Sequence, residues 1–423
     1  MKYYQRKLKN GLTILEVPSE DAESVVVDFF VKTGSRSETA KENGISHFLE
    51  HFLFKGTKKY PSAMAITELV DGIGGEMNAN TGKEHTQFFI KAHHQYLEMI
   101  FEILTDMIQN PLLDKTEMER EKGVIVEEIN MYKDNPRITA NNILEEVMWK
   151  KDPLGRDIAG QVDTVTKFTR PMFESYMQRH YQAGNMILGV SGKYDRAFLN
   201  KLIAKHWNAF PAHKFSSWTK AKDSQKSWRV RVQHKDVQQA VINFGFKGLD
   251  FNHKDNTVAA VLASILGGGM SSRLFTEVRE RRGLAYYVRA MNGNYQDTGV
   301  FDISSGVRLD SIEEAMRVIL QELKKISEEK VTDKEFAKAK AYLKGKTTLA
   351  LEDNQTRLDW FLEEVAFKKK IQTPKDIFKA VDMVKAEDVL RLAKQLFVSS
   401  KMSLAIVGPF KSSKKFEQIL KAF

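Results

Sequence analysis

The chain repeats itself, and that repeat constrains its fold more than any other feature. Val27-Asp28-Phe29-Phe30-Val31-Lys32 resembles Ile242-Asn243-Phe244-Gly245-Phe246-Lys247 at an offset of 215 residues. The spaced pattern Met186-x-Leu188-x-x-x-Gly192-x-Tyr194 returns as Met402-x-Leu404-x-x-x-Gly408-x-Phe410 at an offset of 216. Each match alone is an ordinary apolar strand; two at nearly one offset indicate an internal duplication. At 423 residues the chain also exceeds one typical domain of about 100–200 residues. The expected class is therefore α+β: two duplicated domains, 1–212 and 226–423, each a mainly antiparallel sheet packed with helices. A linker is expected over 213–225, where Lys, Ser and Asp show little periodicity.

Local patterns fill in the first repeat. Tyr3–Leu8 and Leu12–Val17 flank Asn10-Gly11, a dipeptide suited to the primed turn of a two-residue hairpin. Strands are predicted at Val25–Val31, Glu76–Asn80 and Thr86–Ala92. Helices are predicted over about Gly44–Phe54, Ser62–Gly72, Tyr96–Gln109 and Asp114–Tyr132, the last opening on an Asp114…Glu117 pair like a capping box.

The chain has no cysteine, which excludes a disulfide scaffold, a Cys nucleophile, an iron–sulfur cluster and a thiolate zinc site. Any metal must be held by His, Asp or Glu. No apolar run approaches the ~18 residues of a membrane span, and no secretory pattern follows the basic start, so no membrane partner and a cytoplasmic setting are expected. The excess of 65 Lys+Arg over 55 Asp+Glu gives a charge of +10. Lysines and glutamates are interleaved, however, as in Lys324, Lys325, Glu328, Glu329 and Lys330, and no Arg block or zinc-finger spacing appears. A solvated surface, with no nucleic-acid partner, is the reading.

The first predicted helix contains His47-Phe48-Leu49-Glu50-His51. Residues i and i+4 share a helical face, so both imidazoles can reach one ion, and Glu50 at i+3 lies on that side. This is the inverted zinc-peptidase pattern H-x-x-E-H. Catalytic zinc takes three protein ligands and keeps a position for water, and Glu50 is placed to accept a proton from that water. A third ligand is sought in Glu119-Arg120-Glu121-Lys122-Gly123-Val124-Ile125-Val126-Glu127-Glu128. Glu121 and Glu128 are one heptad apart on a single helical face, with Val124 and Ile125 between them, whereas Glu127 is rotated about 100° away. Periodicity leaves Glu128 and Glu121 both open as the ligand.

The block Gly44-Ile45-Ser46-His47-Phe48-Leu49-Glu50-His51-Phe52-Leu53-Phe54-Lys55-Gly56-Thr57 resembles the motif of the pitrilysin/insulinase family of zinc peptidases, nearest the half-length members similar to the mitochondrial processing peptidase catalytic subunit. The resemblance implies a single zinc ion per chain, one half of a clamshell, and a third ligand 75–80 residues downstream. Glu128, 77 residues after His51, matches in spacing and context; Glu121 matches the family's supporting acid, and Glu127 is the fallback. Met77-Asn78-Ala79-Asn80-Thr81 resembles the family's active-site edge strand, which implies substrate-binding roles for Asn78, Ala79 and Asn80. Asp152-Pro153-Leu154-Gly155-Arg156 matches a further block whose first position is often His.

At the repeat offset the counterpart of His47–His51 is Leu262-Ala263-Ser264-Ile265-Leu266, which offers no ligand. Gly267-Gly268-Gly269 follows, but neither GxxxxGK[ST] nor a GxGxxG fingerprint is present, so a tight turn is expected and nucleotide binding is not. The resemblance implies that Arg279 and Tyr286 assist the oxyanion, and that a half-length chain carrying both elements completes each site in trans as a homodimer; a heterodimer is the alternative arrangement. The expected activity is an endopeptidase acting on unfolded peptides in a closed chamber, the competing reading being a non-catalytic peptide-binding subunit.

Overall fold

The computed structural model describes residues 1–212, 218–222 and 225–421; parts of the expected linker, 213–217 and 223–224, lie outside the described residues. The strands in chain order are β1 (Tyr4–Lys7), β2 (Thr13–Pro18), β3 (Ser24–Val31), β4 (Glu76–Thr81), β5 (Thr86–His93), β6 (Met186–Gly192), β7 (Arg229–His234), β8 (Gln239–Gly248), β9 (Ala285–Asn294), β10 (Gly299–Arg308) and β11 (Ser403–Gly408). The helices begin with α1 (Ile45–Leu53), α2 (Ala63–Asp71), α3 (Leu97–Gln109), α4 (Lys115–Asp134) and α5 (Pro136–Met148). They continue with α6 (Val162–Val165), α7 (Arg170–His180), α8 (Arg196–Trp207), α9 (Asn256–Gly267) and α10 (Ile312–Glu328). The last five are α11 (Asp333–Ala350), α12 (Asn354–Phe367), α13 (Pro374–Met383), α14 (Ala386–Leu396) and α15 (Lys414–Lys421).

One sheet runs β1-β2-β6-β3-β5-β4 and the other β7-β11-β8-β10-β9. Without β1 the two orders coincide strand for strand. β2 pairs β6 in parallel as β7 pairs β11, and the remaining neighbours in both sheets are antiparallel. The repeat was readable in β3, β6, β8 and β11 because these central strands are buried on both faces, so their apolar runs are nearly continuous. The first hairpin differs from expectation. Leu8 N–H donates to the Leu12 carbonyl, Gly11 N–H donates to that of Leu8, and Gly11 sits at φ 94°. This is a three-residue loop closed by a left-handed glycine, not a two-residue primed turn.

The compact units do not follow the sequence halves. Unit 1 gathers Met1–Asn130, Arg156–Thr219 and Ala350–Ile371; unit 2 gathers Met131–Gly155, Lys220–Leu349 and Gln372–Phe423. Helix α5, from the first half, packs on β8, β11 and β7 of unit 2, and α12, from the second half, packs on β6, β3 and β2 of unit 1. Within unit 1 the opposite sheet face is covered by α3, and Phe29 of β3 stacks on Trp207 of α8 at 4.6 Å between ring centres. In unit 2, Gly267 ends α9 where any Cβ would meet the Ala290 backbone nitrogen at 2.1 Å. The triple glycine is thus a close-packed helix terminus, as expected.

Candidate metal centre

Helix α1 is fixed at its start by backbone and charge together. Gly44 precedes it at φ 98°, and a Cβ there would meet the Ala159 carbonyl oxygen at 2.8 Å, so only glycine fits. The buried Glu38 carboxylate accepts from the N–H groups of Gly44 and Ser46, each at 2.9 Å, and from Asn43 Nδ2 at 3.1 Å. These are helix-start donors that otherwise have no intrahelical partner. Burial still outweighs those bonds and raises the Glu38 pKa to about 6. One flank of α1 packs through Phe48 and Phe52 on Phe173 of α7, with ring centres 4.8 and 5.2 Å apart. Ser46 Oγ lies 2.8 Å from the Tyr176 hydroxyl. With that flank locked, the neighbouring one presents His47, Glu50 and His51.

The two imidazoles and one carboxylate converge. Glu128 Oε2 on α4 lies 3.6 Å from His47 Nε2 and 3.3 Å from His51 Nε2, and one donor atom from each residue falls within 4.8 Å of the others. Ligands at about 2.0–2.1 Å from a tetrahedral zinc ion stand about 3.3 Å apart, so the donor set and its spacing fit such an ion. Of the two acids left open by helical periodicity, Glu128 thus meets both histidines. Glu121, one heptad earlier, instead faces His51 Nδ1 at 2.9 Å while its other oxygen pairs with Lys55 Nζ at 2.6 Å. That arrangement fixes the ring and directs Nε2 toward the ion position. Glu127 is exposed. Burial alone would depress the His51 pKa, but hydrogen bonds and charges from Glu121 and Glu128 prevail and hold it at about 9. A metal ion binding here must therefore displace a proton. His47 Nδ1 is buried with no hydrogen-bond partner among the described residues, so the two histidines are held unequally.

Glu50 is held from the sheet. The Thr81 hydroxyl, at the end of β4, donates to Glu50 Oε2. Among the described residues β4 is the outermost strand on that side and pairs with β5 alone, and along it Glu76, Asn78 and Asn80 are exposed while Met77, Ala79 and Thr81 are half-buried. The turn beyond Thr81 is clamped: buried Arg36 and Glu84 form an ion pair at 2.5 Å, with the Arg36 guanidinium 4.1 Å from the Trp218 ring centre. His85 stacks on Phe30 at 4.8 Å and burial lowers its pKa to about 4. Thr81 and Lys55 were not assigned from sequence. A lone hydroxyl at a strand end and one lysine after a helix carry no periodic signal.

Unit 2 places Arg279 on a π-helical segment, Phe275–Glu280, with its guanidinium 4.8 Å from the Phe275 ring centre and 5.4 Å from that of Tyr286. Tyr286 is 70% exposed. These two residues are therefore adjacent to one another. Asp152, the departure from the His of its block, is buried; Oδ1 accepts from Leu154 N–H at 3.0 Å and Oδ2 from Lys222 N–H at 3.2 Å, a turn-forming role.

Residues 14–162 match the model of the insulinase family, peptidase family M16, and residues 167–343 match that of the peptidase M16 inactive domain. An uncharacterized zinc protease of Rickettsia felis is 34% identical over 404 residues, which is 95% of this chain and 97% of that protein. The chain belongs to the insulinase (M16) family. An uncharacterized zinc protease of Bacillus subtilis is similar to this M16 chain at 32% identity, over 95% of the chain and 97% of the relative. A solved protease from Helicobacter pylori shares the M16 chain's fold at TM-score 0.90 and 25% identity, covering 96% of this chain and 99% of that one. The expected family and the α+β architecture of paired sheets and helices are both shown. The half matched by the inactive-domain model holds none of the His/Asp/Glu groups with metal-ligand spacing found among the described residues. No described helix is long and apolar enough to cross a membrane.

Proposed function

We propose that this M16 chain is a zinc-dependent endopeptidase that hydrolyses unfolded peptides. The observation that carries this reading is the convergence of His47 Nε2, His51 Nε2 and Glu128 Oε2, with Glu50 on the same helix flank. His47, His51 and Glu128 hold the ion, and Glu121 orients His51. Zinc, when bound, supplies Lewis-acid polarisation of the scissile carbonyl and lowers the pKa of a bound water. Glu50 accepts the proton of the attacking water and passes it to the leaving amine. The free edge of β4, through Asn78, Ala79 and Asn80, takes the substrate as an added strand, backbone to backbone, which favours extended chains over folded ones.

Arg279 and Tyr286 donate to the oxyanion that develops on the carbonyl, a cation and a phenol being suited to charge formed only in the transition state. Their adjacency supports a shared target. In this reading two copies of the chain pair, each completing the other's site in trans and enclosing the substrate in a chamber.

The test is mass spectrometry of a mixed unstructured peptide pool incubated with zinc-loaded protein and with Glu50→Gln. Cleavage by the wild type and about 10²–10⁴-fold slower cleavage by the variant, with zinc retained, is expected for loss of a general base. Comparable cleavage by both would overturn the role of Glu50. Absence of cleavage by the zinc-loaded wild type would instead favour a peptide-binding subunit.

A further inference from the structure

The M16 chain brings two histidines and a carboxylate together at a second place, far from α1. Glu23, just before β3, projects Oε2 to 3.8 Å from His93 Nε2 and 3.5 Å from His94 Nε2. One donor atom of each residue lies within 4.8 Å of the others. The separations nearly repeat those of the first cluster, 3.6 and 3.3 Å, and the donor types are the same. Sheet register creates the coincidence. Ser24 pairs with His93 across β3 and β5, and His94 N–H donates to the Glu23 carbonyl at 3.0 Å, so the turns leaving both strands are stitched side by side. Thr81 pairs with Thr86, at the opposite end of β5. Seven residues of strand separate Thr86 from His93, roughly 23 Å at about 3.3 Å each, so the two clusters cannot share an ion.

We propose that Glu23, His93 and His94 form a second, exchangeable site for a late first-row divalent cation such as zinc. Two imidazoles and one carboxylate select borderline ions over magnesium, which prefers oxygen ligands. Lys193 Nζ holds the other Glu23 oxygen at 3.0 Å, which fixes the carboxylate and keeps its pKa below the usual range. Three features make this site weaker than the first. It is open to solvent, with Glu23 70% and His93 45% exposed and His94 half-buried at 30%. Lys193 withdraws negative charge from the ion. His93 Nδ1 accepts a long hydrogen bond from Gln95 N–H at 3.4 Å, which binding through Nε2 gives up because Nδ1 must then carry the proton. Occupancy would tie the turn before β3 to the turn after β5, and metal content would rise above one ion per chain when zinc is in excess.

The test is zinc titration of the full chain by calorimetry and equilibrium dialysis, with His93→Gln/His94→Gln and His47→Leu/His51→Leu as paired variants. The wild type is expected to show a tight class and a second class at least tenfold weaker. The first variant keeps only the tight class and the second variant only the weak one. A single class in the wild type up to millimolar zinc, survival of the weak class in His93→Gln/His94→Gln, or its displacement by equimolar magnesium would overturn the proposal. Loss of the tight class alone bears on α1 and leaves this inference standing. His93 and His94 are solvent-accessible whereas His47 is buried, and unchanged melting temperatures without zinc check that the variants are folded.

Discussion

Unit 1 and unit 2 have one strand order and two chemistries. Position by position, β2-β6-β3-β5-β4 repeats as β7-β11-β8-β10-β9, yet the helix of unit 1 that carries His47 and His51 corresponds to α9, where Leu262 and Leu266 occupy the equivalent positions fully buried. In α1 that flank faces the carboxylates of α4; in α9 it is core. A sheet with helices on it thus supplies a rigid frame in both units, and a handful of side chains decides whether the frame holds a metal ion. His47→Leu with His51→Leu would write the α9 residues into α1. The expected result is loss of the tight zinc class and at least a 10³-fold fall in peptide cleavage, with the fold intact because leucine suits an amphipathic helix. Global unfolding by circular dichroism would show instead that the histidines support the fold of unit 1, and the comparison would fail.

Within unit 1 the comparison sharpens at the supporting residues, which α9 and its surroundings lack. Glu121→Gln keeps a hydrogen-bonding group at His51 Nδ1 but removes the charge, and zinc affinity should fall about 10–100-fold with all three ligands present. Competition against a chelator measures this directly; unchanged affinity would leave Glu121 a mere partner of Lys55. Thr81→Val removes the donor to Glu50 without changing side-chain shape. A hydrogen bond to a charged group contributes about 1.5–3 kcal/mol, so a fall in kcat of roughly tenfold or more is expected, with zinc content and KM near wild type. Thr81→Ser should restore most of the rate. A variant that loses KM and kcat together, unrescued by serine, would mark Thr81 as structural.

Much of this was readable in the sequence, and the parts that were not share a cause. Strands β3, β6, β8 and β11 are sheet centres, so burial on both faces wrote their repeat plainly into the residues. His47, Glu50 and His51 are local, spaced by one helical turn, and periodicity finds them. Glu121 and Glu128 share a face of α4, and no helical period tells one from the other; what separates them is where α1 crosses α4, which is tertiary information. The exchange of α5 and α12 between the units is likewise invisible locally, because each helix carries an ordinary amphipathic pattern. The turn at Asn10-Gly11 failed at the level of its hydrogen bonds, where one added residue turns a primed turn into a glycine-closed loop.

The exchanged helices leave a subtler contrast, in pH. Under α12 the repeat places a buried acid, Asp28, on β3 and an amide, Gln87, on β5; under α5 the order reverses, with Asn243 on β8 and Asp302 on β10. Both carboxyls are pushed up: Asp28 by burial and the Asp359 carboxylate, although it receives Gln355 Nε2 at 3.2 Å, and Asp302 by burial and the Glu145 carboxylate, to about 7. A carboxyl whose folded pKa lies above its unfolded value of about 3.9 contributes stability that is full below that lower value and lost as pH rises through 7. Asp302→Asn fixes the neutral form. The variant should therefore gain on the wild type from about pH 4, where the two match, up to pH 8.5, with roughly 2–3 kcal/mol of that gain falling between pH 5 and 8.5, since each tenfold change in a protonation equilibrium is worth about 1.4 kcal/mol. Urea denaturation at pH 5 and 8.5 decides it: a gain that is independent of pH would mean that Asp302 is already ionised beneath α5 and that unit 2 tolerates a buried charge there.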